Sequence, residues 1–156
     1  MYKRQGEDGV EIMLEQKDTI NFIHQLEIRG VKPCGLGSRD TLRLEASLPL
    51  YGFELSDNIS PVEAGLKWTL SNNDDYLGKD VIDEQLESKE HKYLKKFKLN
   101  ARQIARTDTT CIAGSVPGVV TSGNISPILG HPIGFALFET NPPDNLVEFD
   151  LPLIHI

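Results

Sequence analysis

The spacing of apolar residues changes period near Lys96, and that change constrains the fold more than any other feature of the sequence. Ahead of it, Ile20, Phe22, Ile23, Leu26 and Ile28 form a mostly helical stripe, as do Val81, Ile82, Gln85 and Leu86. Beyond it come five short strand-like runs, at 97–99, 110–112, 118–121, 133–137 and 146–149, separated by Gly and Pro at roughly regular intervals. Helices first and short strands afterwards predict an α+β chain ending in a small antiparallel β-barrel or sandwich. The charged, poorly periodic stretch Ser88–Lys92 puts the division between residues 1–92 and residues 93–156.

Local signals refine the first part. Gly6–Gly9 reads as a turn, and Val10–Leu14 as a strand with Val10, Ile12 and Leu14 on one face. Asp18 and Thr19 are candidate caps for a helix running to about Arg29, with Gly30 as its stop. After the Gly/Pro-rich connection Val31–Gly37, Ser38 caps a predicted helix to Ser47 whose inward residues are Leu42, Ala46 and Leu44. Ser60–Pro61 predicts a short helix ending near Gly65. The alternation of Leu66–Leu70 predicts a strand, and residues 72–75 a turn. Lys79 to about Lys89 is predicted helical.

Of the 156 residues 39% are hydrophobic and 25% charged, which fits a globular chain able to bury a core. A net charge of −7 disfavours nucleic acid as a partner, because an acidic surface repels phosphate backbones. No stretch reaches the roughly 18 apolar residues of a membrane-spanning helix, and Met1–Gly6 lacks the apolar core of a secretory signal. Cys34 and Cys111 stand far apart without metal-ligand spacing, and reduced thiols are expected. The four histidines, His24, His91, His131 and His155, form no metal-binding pair, so no metal site is assigned. The apolar run Leu151–Ile156 and the abrupt opening near Val10 suggest truncation at both ends.

Four features bear on chemistry. Glu7 and Asp8 have no third ligand at useful spacing and read as a solvated turn. Cys34–Asp40 is a Gly-rich loop opening a helix, and Arg39 sits where the helix dipole disfavours a cation. Asp40, Glu45 or a ligand carboxylate should offset it. Ser122 with His131 invites a hydrolase reading, but no nucleophile elbow surrounds Ser122, and hairpin chemistry explains the stretch better. Trp68 is the single tryptophan, either core or a flat platform for an aromatic ligand.

Six stretches, in this order, resemble the glycine cleavage T-protein family: Gly6–Ile12, Lys32–Ala46, Leu50–Gly52, Ile59–Pro61, Trp68–Thr69 and Val120–Gly130. The second and the last are long and specific. The likeness covers nearly the whole chain, weakening between about Gln103 and Gly114 and after Glu139. It implies the C-terminal portion of the family's folate-binding fold: a partial α+β folate domain over 1–92 and a small, incomplete antiparallel β-barrel over 93–156. The implied activity is an aminomethyltransferase of the glycine cleavage system. It transfers a one-carbon unit from the aminomethyl-lipoyl H-protein to tetrahydrofolate and releases ammonia. The implied setting is the bacterial cytoplasm, or the mitochondrion in a eukaryote.

The family's folate contacts carry over to Glu11, Arg39 and Trp68. A carboxylate at Glu11 accepts hydrogen bonds from the donor edge of the pterin. Arg39 forks onto a carboxylate or polar edge, and Trp68 offers an aromatic face. The family's catalytic Asp has no counterpart in these residues, so no catalytic residue is assigned and the chain is expected to be a fragment of the enzyme. The alternative is a non-catalytic folate-binding or interaction module of the same family.

Overall fold

The computed structural model describes residues 6–71, 75–100, 103–143 and 146–147. The element order is α1 (Gln16–Ile28), α2 (Leu36–Glu45), a 3₁₀ turn (Lys67–Thr69), α3 (Lys79–Ser88), then β1 (Tyr93–Lys98), β2 (Thr110–Ala113), β3 (Val116–Ile125), β4 (Pro132–Phe138) and β5 (Leu146–Val147). The strands form one sheet in the order β2-β3-β4-β1-β5. All neighbours are antiparallel except β1 and β5, which run parallel. The predicted mixed architecture is present, but among the described residues the sheet does not close: β2 and β5 are its two edges. The turn expected at 72–75 and the end of the run at 146–149 lie partly outside the described residues.

Helix ends follow their local chemistry. α1 stops in a Schellman motif, with the Gly30 N–H donating to Glu27 O at 2.9 Å and the Val31 N–H to Leu26 O at 3.0 Å. Gly30 takes φ +81°, the left-handed conformation a glycine adopts without strain. α2 ends the same way with Ser47 at φ 59° in the glycine's place, and Leu48 N donates to Arg43 O. The starts differ from expectation. Glu15, not Asp18 or Thr19, caps α1, and Thr19 instead donates to Glu15 O. Gly35 caps α2, which places Ser38 inside the first turn, donating to Gly35 O.

Two predicted strands are absent. Residues 8–15 belong to no helix and to no ladder among the described residues, and Val10, Ile12, Met13 and Leu14 are exposed. Alternation marks a segment suited to a sheet, yet a strand exists only where a partner accepts its hydrogen bonds. Leu66–Leu70 winds into the 3₁₀ turn, held by Thr69 N donating to Leu66 O. Ser60 and Glu63 form a reciprocal capping box: Ser60 N donates to Glu63 Oε2 at 2.8 Å, and Glu63 N to Ser60 Oγ at 3.2 Å. The segment stays a single turn instead of a helix because Gly65, at φ +72°, reverses the chain.

The two faces of the sheet bury different cores. One holds Phe97, Leu99, Ala105, Cys111, Ala113, Val120, Ala136 and Phe138. The other packs Ile133, Phe135 and the half-buried Leu94 against Leu44 of α2. Thus α2 turns Leu44 inward as expected and Arg43 with it, while Ala46, expected inward, is exposed. Two aromatic rings lie over glycines. Phe97 covers Gly134, its cross-strand partner, and Phe138 covers Gly118. Such pairs let adjacent strands approach while the ring fills the space that a Cβ would take.

Cys111 belongs to the first core, and burial pushes its thiol up to about 11. A group whose acid form is favoured in the folded state retains its proton there after the unfolded chain has lost it. Stability therefore falls as pH rises from about 9 to about 11. Urea midpoints should drop across that window more in the parent chain than in Cys111→Ala. Iodoacetamide should label the exposed Cys34 in the folded chain and reach Cys111 only on unfolding.

Candidate functional site

The first core's opposite face carries an irregularity that builds the site. Between Val120 and Ser122 the β3–β4 register shifts by a bulge. In a regular strand neighbouring side chains point to opposite faces. The bulge instead lets both Thr121 and Ser122 reach the same carboxylate, Glu54. Glu54 has no exposed surface. Its Oε1 accepts from Ser122 Oγ at 2.5 Å and lies 2.7 Å from Thr121 Oγ1. Its Oε2 accepts from Arg43 Nη1 at 2.8 Å and from the Leu50 backbone N–H at 3.0 Å.

Arg43, on α2, is equally committed. Besides Glu54, its Nη2 donates to Ser122 Oγ at 2.8 Å and its Nε to Asp40 Oδ1 at 2.7 Å. No buried side-chain nitrogen or oxygen among the described residues lacks a partner, as a low-dielectric interior requires. Ser122 is therefore a structural hydroxyl, and its pairing with His131 as a nucleophile is not realised. A neighbouring contact ties the same elements: Asn124 Nδ2 donates to Thr41 Oγ1 at 3.1 Å, and Ser126 Oγ bonds Glu45.

Arg43 and Ser122 of this cluster, with Glu54 buried beneath them, form the floor of a cleft of about 1000 Å³ between α2, the loop that follows it, and β3. Leu36, Leu48, Pro49, Leu50, Tyr51 and Phe53 make its apolar walls. Arg39 and Asp40 line it from α2, and Thr107, Ser122 and Gly123 from the sheet side. Arg39 is partly exposed, and its guanidinium lies 3.7 Å from Glu11. Of the partners expected to offset Arg39 (Asp40, Glu45 or a ligand carboxylate), Asp40 serves Arg43 and Glu45 serves Ser126, while Glu11, ahead of α1, places a carboxylate 3.7 Å from it. Two of the three residues singled out in the sequence thus meet. The third, Trp68, sits on the 3₁₀ turn with 81% of its surface exposed, so it is not core, and it is not among the cleft's walls.

Sequence reasoning missed the floor. Arg43 lies in the Lys32–Ala46 stretch but is assigned no role there, Glu54 lies in none of the six stretches, and the two join Ser122 only through the fold. Among the described residues no group of three or more His, Cys, Asp or Glu is arranged to hold a metal ion. None of the described helices is long and apolar enough to cross a membrane.

Comparison with known proteins locates this arrangement. A sequence model of the GCVT N-terminal domain matches residues 5–74. An aminomethyltransferase from Nostoc sp. is 40% identical over 151 residues, covering 95% of this chain and 39% of its own length. One from Synechococcus elongatus is 46% identical over 134 residues, covering 84% of this chain and 36% of its own length. The crystal structure of glycine cleavage system aminomethyltransferase T from Bartonella henselae superposes with a TM-score of 0.68 at 26% identity, over 78% of this chain and 35% of that one. The chain spans about two fifths of the length of the curated relatives it matches. With sequence matches across nearly its whole length and the shared fold, the chain belongs to the glycine cleavage T-protein family.

Proposed function

We propose that the chain is a folate-binding part of an aminomethyltransferase. The complete enzyme would pass a one-carbon unit from the aminomethyl-lipoyl H-protein to tetrahydrofolate, with release of ammonia. The observation that carries this reading is Arg39, which lines a cleft of about 1000 Å³ and has the Glu11 carboxylate 3.7 Å from its guanidinium. A cavity of that size, largely apolar with a few convergent polar groups, suits a flat heterocycle bearing an anionic tail. Arg39 would pair with a carboxylate or a polar edge of the folate, and Glu11 would accept from the pterin's amino and N–H donors. Trp68, exposed on the 3₁₀ turn and outside the cleft's walls, would contact only a part of the folate that extends beyond the cleft.

The match to an N-terminal-domain model ends at residue 74, while similarity to the relatives continues through the sheet. This supports reading residues 1–92 as the end of a folate domain and 93–156 as the start of the C-terminal one. The role proposed for the chain is binding; the catalytic acid would come from elsewhere in the enzyme.

Equilibrium dialysis with folinic acid, a stable reduced folate, tests the reading. Saturable binding that Arg39→Ala weakens by about tenfold, the worth of one charge-assisted pair of about 1.4 kcal/mol, is the expected outcome. No binding by the folded parent chain contradicts it. Normal turnover by this chain with H-protein and tetrahydrofolate would contradict the division of labour.

A further inference from the structure

The loop after α2 carries two aromatic side chains that the core does not use. Tyr51 is 68% and Phe53 44% exposed, and both line the cleft. They flank Gly52, at φ +91°, and stand beside Glu54, the carboxylate anchored to Arg43 and Ser122. The loop backbone is fixed as well. Leu50 O accepts from the N–H groups of Phe53, Glu54 and Leu55, and Gly52 N donates to Leu55 O at 2.8 Å. The Tyr51 hydroxyl donates to Asp57 Oδ1 at 3.1 Å, which holds one ring by its far end. Two exposed rings on a turn fastened from beneath have already lost the backbone freedom that binding would otherwise cost.

Resting on the folate reading above, we propose that Tyr51 and Phe53 form the aromatic wall against which the flat ring system of the ligand packs. Arg39 and Glu11 then set the ligand's polar edges, and the buried Arg43–Glu54–Ser122 cluster positions the wall. Gly123, across the cleft, presents bare backbone. Its missing Cβ would point away from the cleft, at the Ala105 carbonyl oxygen 2.1 Å off and the Phe97 ring of the first core, so glycine there keeps β3 close to that core.

The test is folinic acid binding by the parent chain and by Tyr51→Ala, Phe53→Ala, the double variant, Tyr51→Phe and Ile128→Ala. Ile128 is an exposed apolar residue outside the cleft. The double alanine variant should weaken binding by about tenfold or more, the scale of losing aromatic contact with a flat ring. Tyr51→Phe should restore it, and Ile128→Ala should leave it unchanged. All replaced side chains are substantially exposed, so circular dichroism should show an unaltered fold. Parent binding that the double variant retains, or that Ile128→Ala weakens equally, overturns the proposal while leaving the folate reading intact. No binding by the parent chain defeats both.

Discussion

Glu54→Ala should lower stability by about 3–5 kcal/mol, the cost of removing one member of a buried, hydrogen-bonded ion pair. The truncation leaves Arg43, 4% exposed, facing a cavity with only Asp40 to balance it. It also removes the acceptor of Thr121, Ser122 and the Leu50 N–H together. Domains of this size have about 5–15 kcal/mol in hand, so the variant should melt on the order of 10 °C lower. Arg43→Met should cost a similar amount by stranding the carboxylate. The double variant Arg43→Met/Glu54→Leu should lose clearly less than the sum, because each change then removes a charge the other no longer needs. Thermal denaturation followed by circular dichroism on all three variants decides the matter. Strictly additive losses would show that the two residues do not act as a unit.

Gly134→Ala is the second large effect, and it arises from the absence of space. A Cβ at Gly134 would lie 2.0 Å from Ser122 O and under 3 Å from two atoms of the Phe97 ring. Backbone oxygen cannot move aside without parting β3 from β4, and Phe97 is 1% exposed in the larger core. Overpacking of this kind costs about 1–3 kcal/mol where side chains can yield, so a loss at or above the top of that range is expected. Gly37→Ala supplies the contrast. Gly37 lies in α2, where a Cβ would meet nothing within 4 Å, and alanine there should stabilise by about 0.5 kcal/mol through helix propensity. Urea denaturation of the two variants should shift the midpoint in opposite directions.

These effects also show which parts of the molecule the sequence reveals. Gly30 ends α1 and residues 79–88 form α3 because caps and helical stripes are properties of a few neighbouring residues. The strand runs at 97, 110–112, 118–121 and 133–137 are legible for the same reason, being short apolar segments bounded by Gly and Pro. Val10–Leu14 and Leu66–Leu70 have the same alternation but no partner strand among the described residues, and alternation alone cannot report pairing. The site divides in the same way. Glu11 and Arg39 are reached through motif resemblance, and the structure brings them within 3.7 Å. The contacts among Arg43, Glu54 and Ser122 escape a reading of the sequence because they span 11, 68 and 79 positions. They also depend on a bulge that flips one residue of β3, for which Thr121–Ser122–Gly123 gives no local sign. Trp68 carries an equally plain motif, yet whether it faces core, cleft or solvent is decided by the 3₁₀ turn beneath it.

Binding of a reduced folate in the cleft between α2 and the bulged strand is the central claim. Amide chemical-shift mapping of the folded chain titrated with folinic acid tests it most directly. Saturable shifts concentrated at Glu11, Arg39, Tyr51–Phe53, Thr107 and Ser122–Gly123, with the amides of α3 unmoved, are the expected result. Shifts confined to other surfaces, or none at ligand concentrations in the millimolar range, would contradict it.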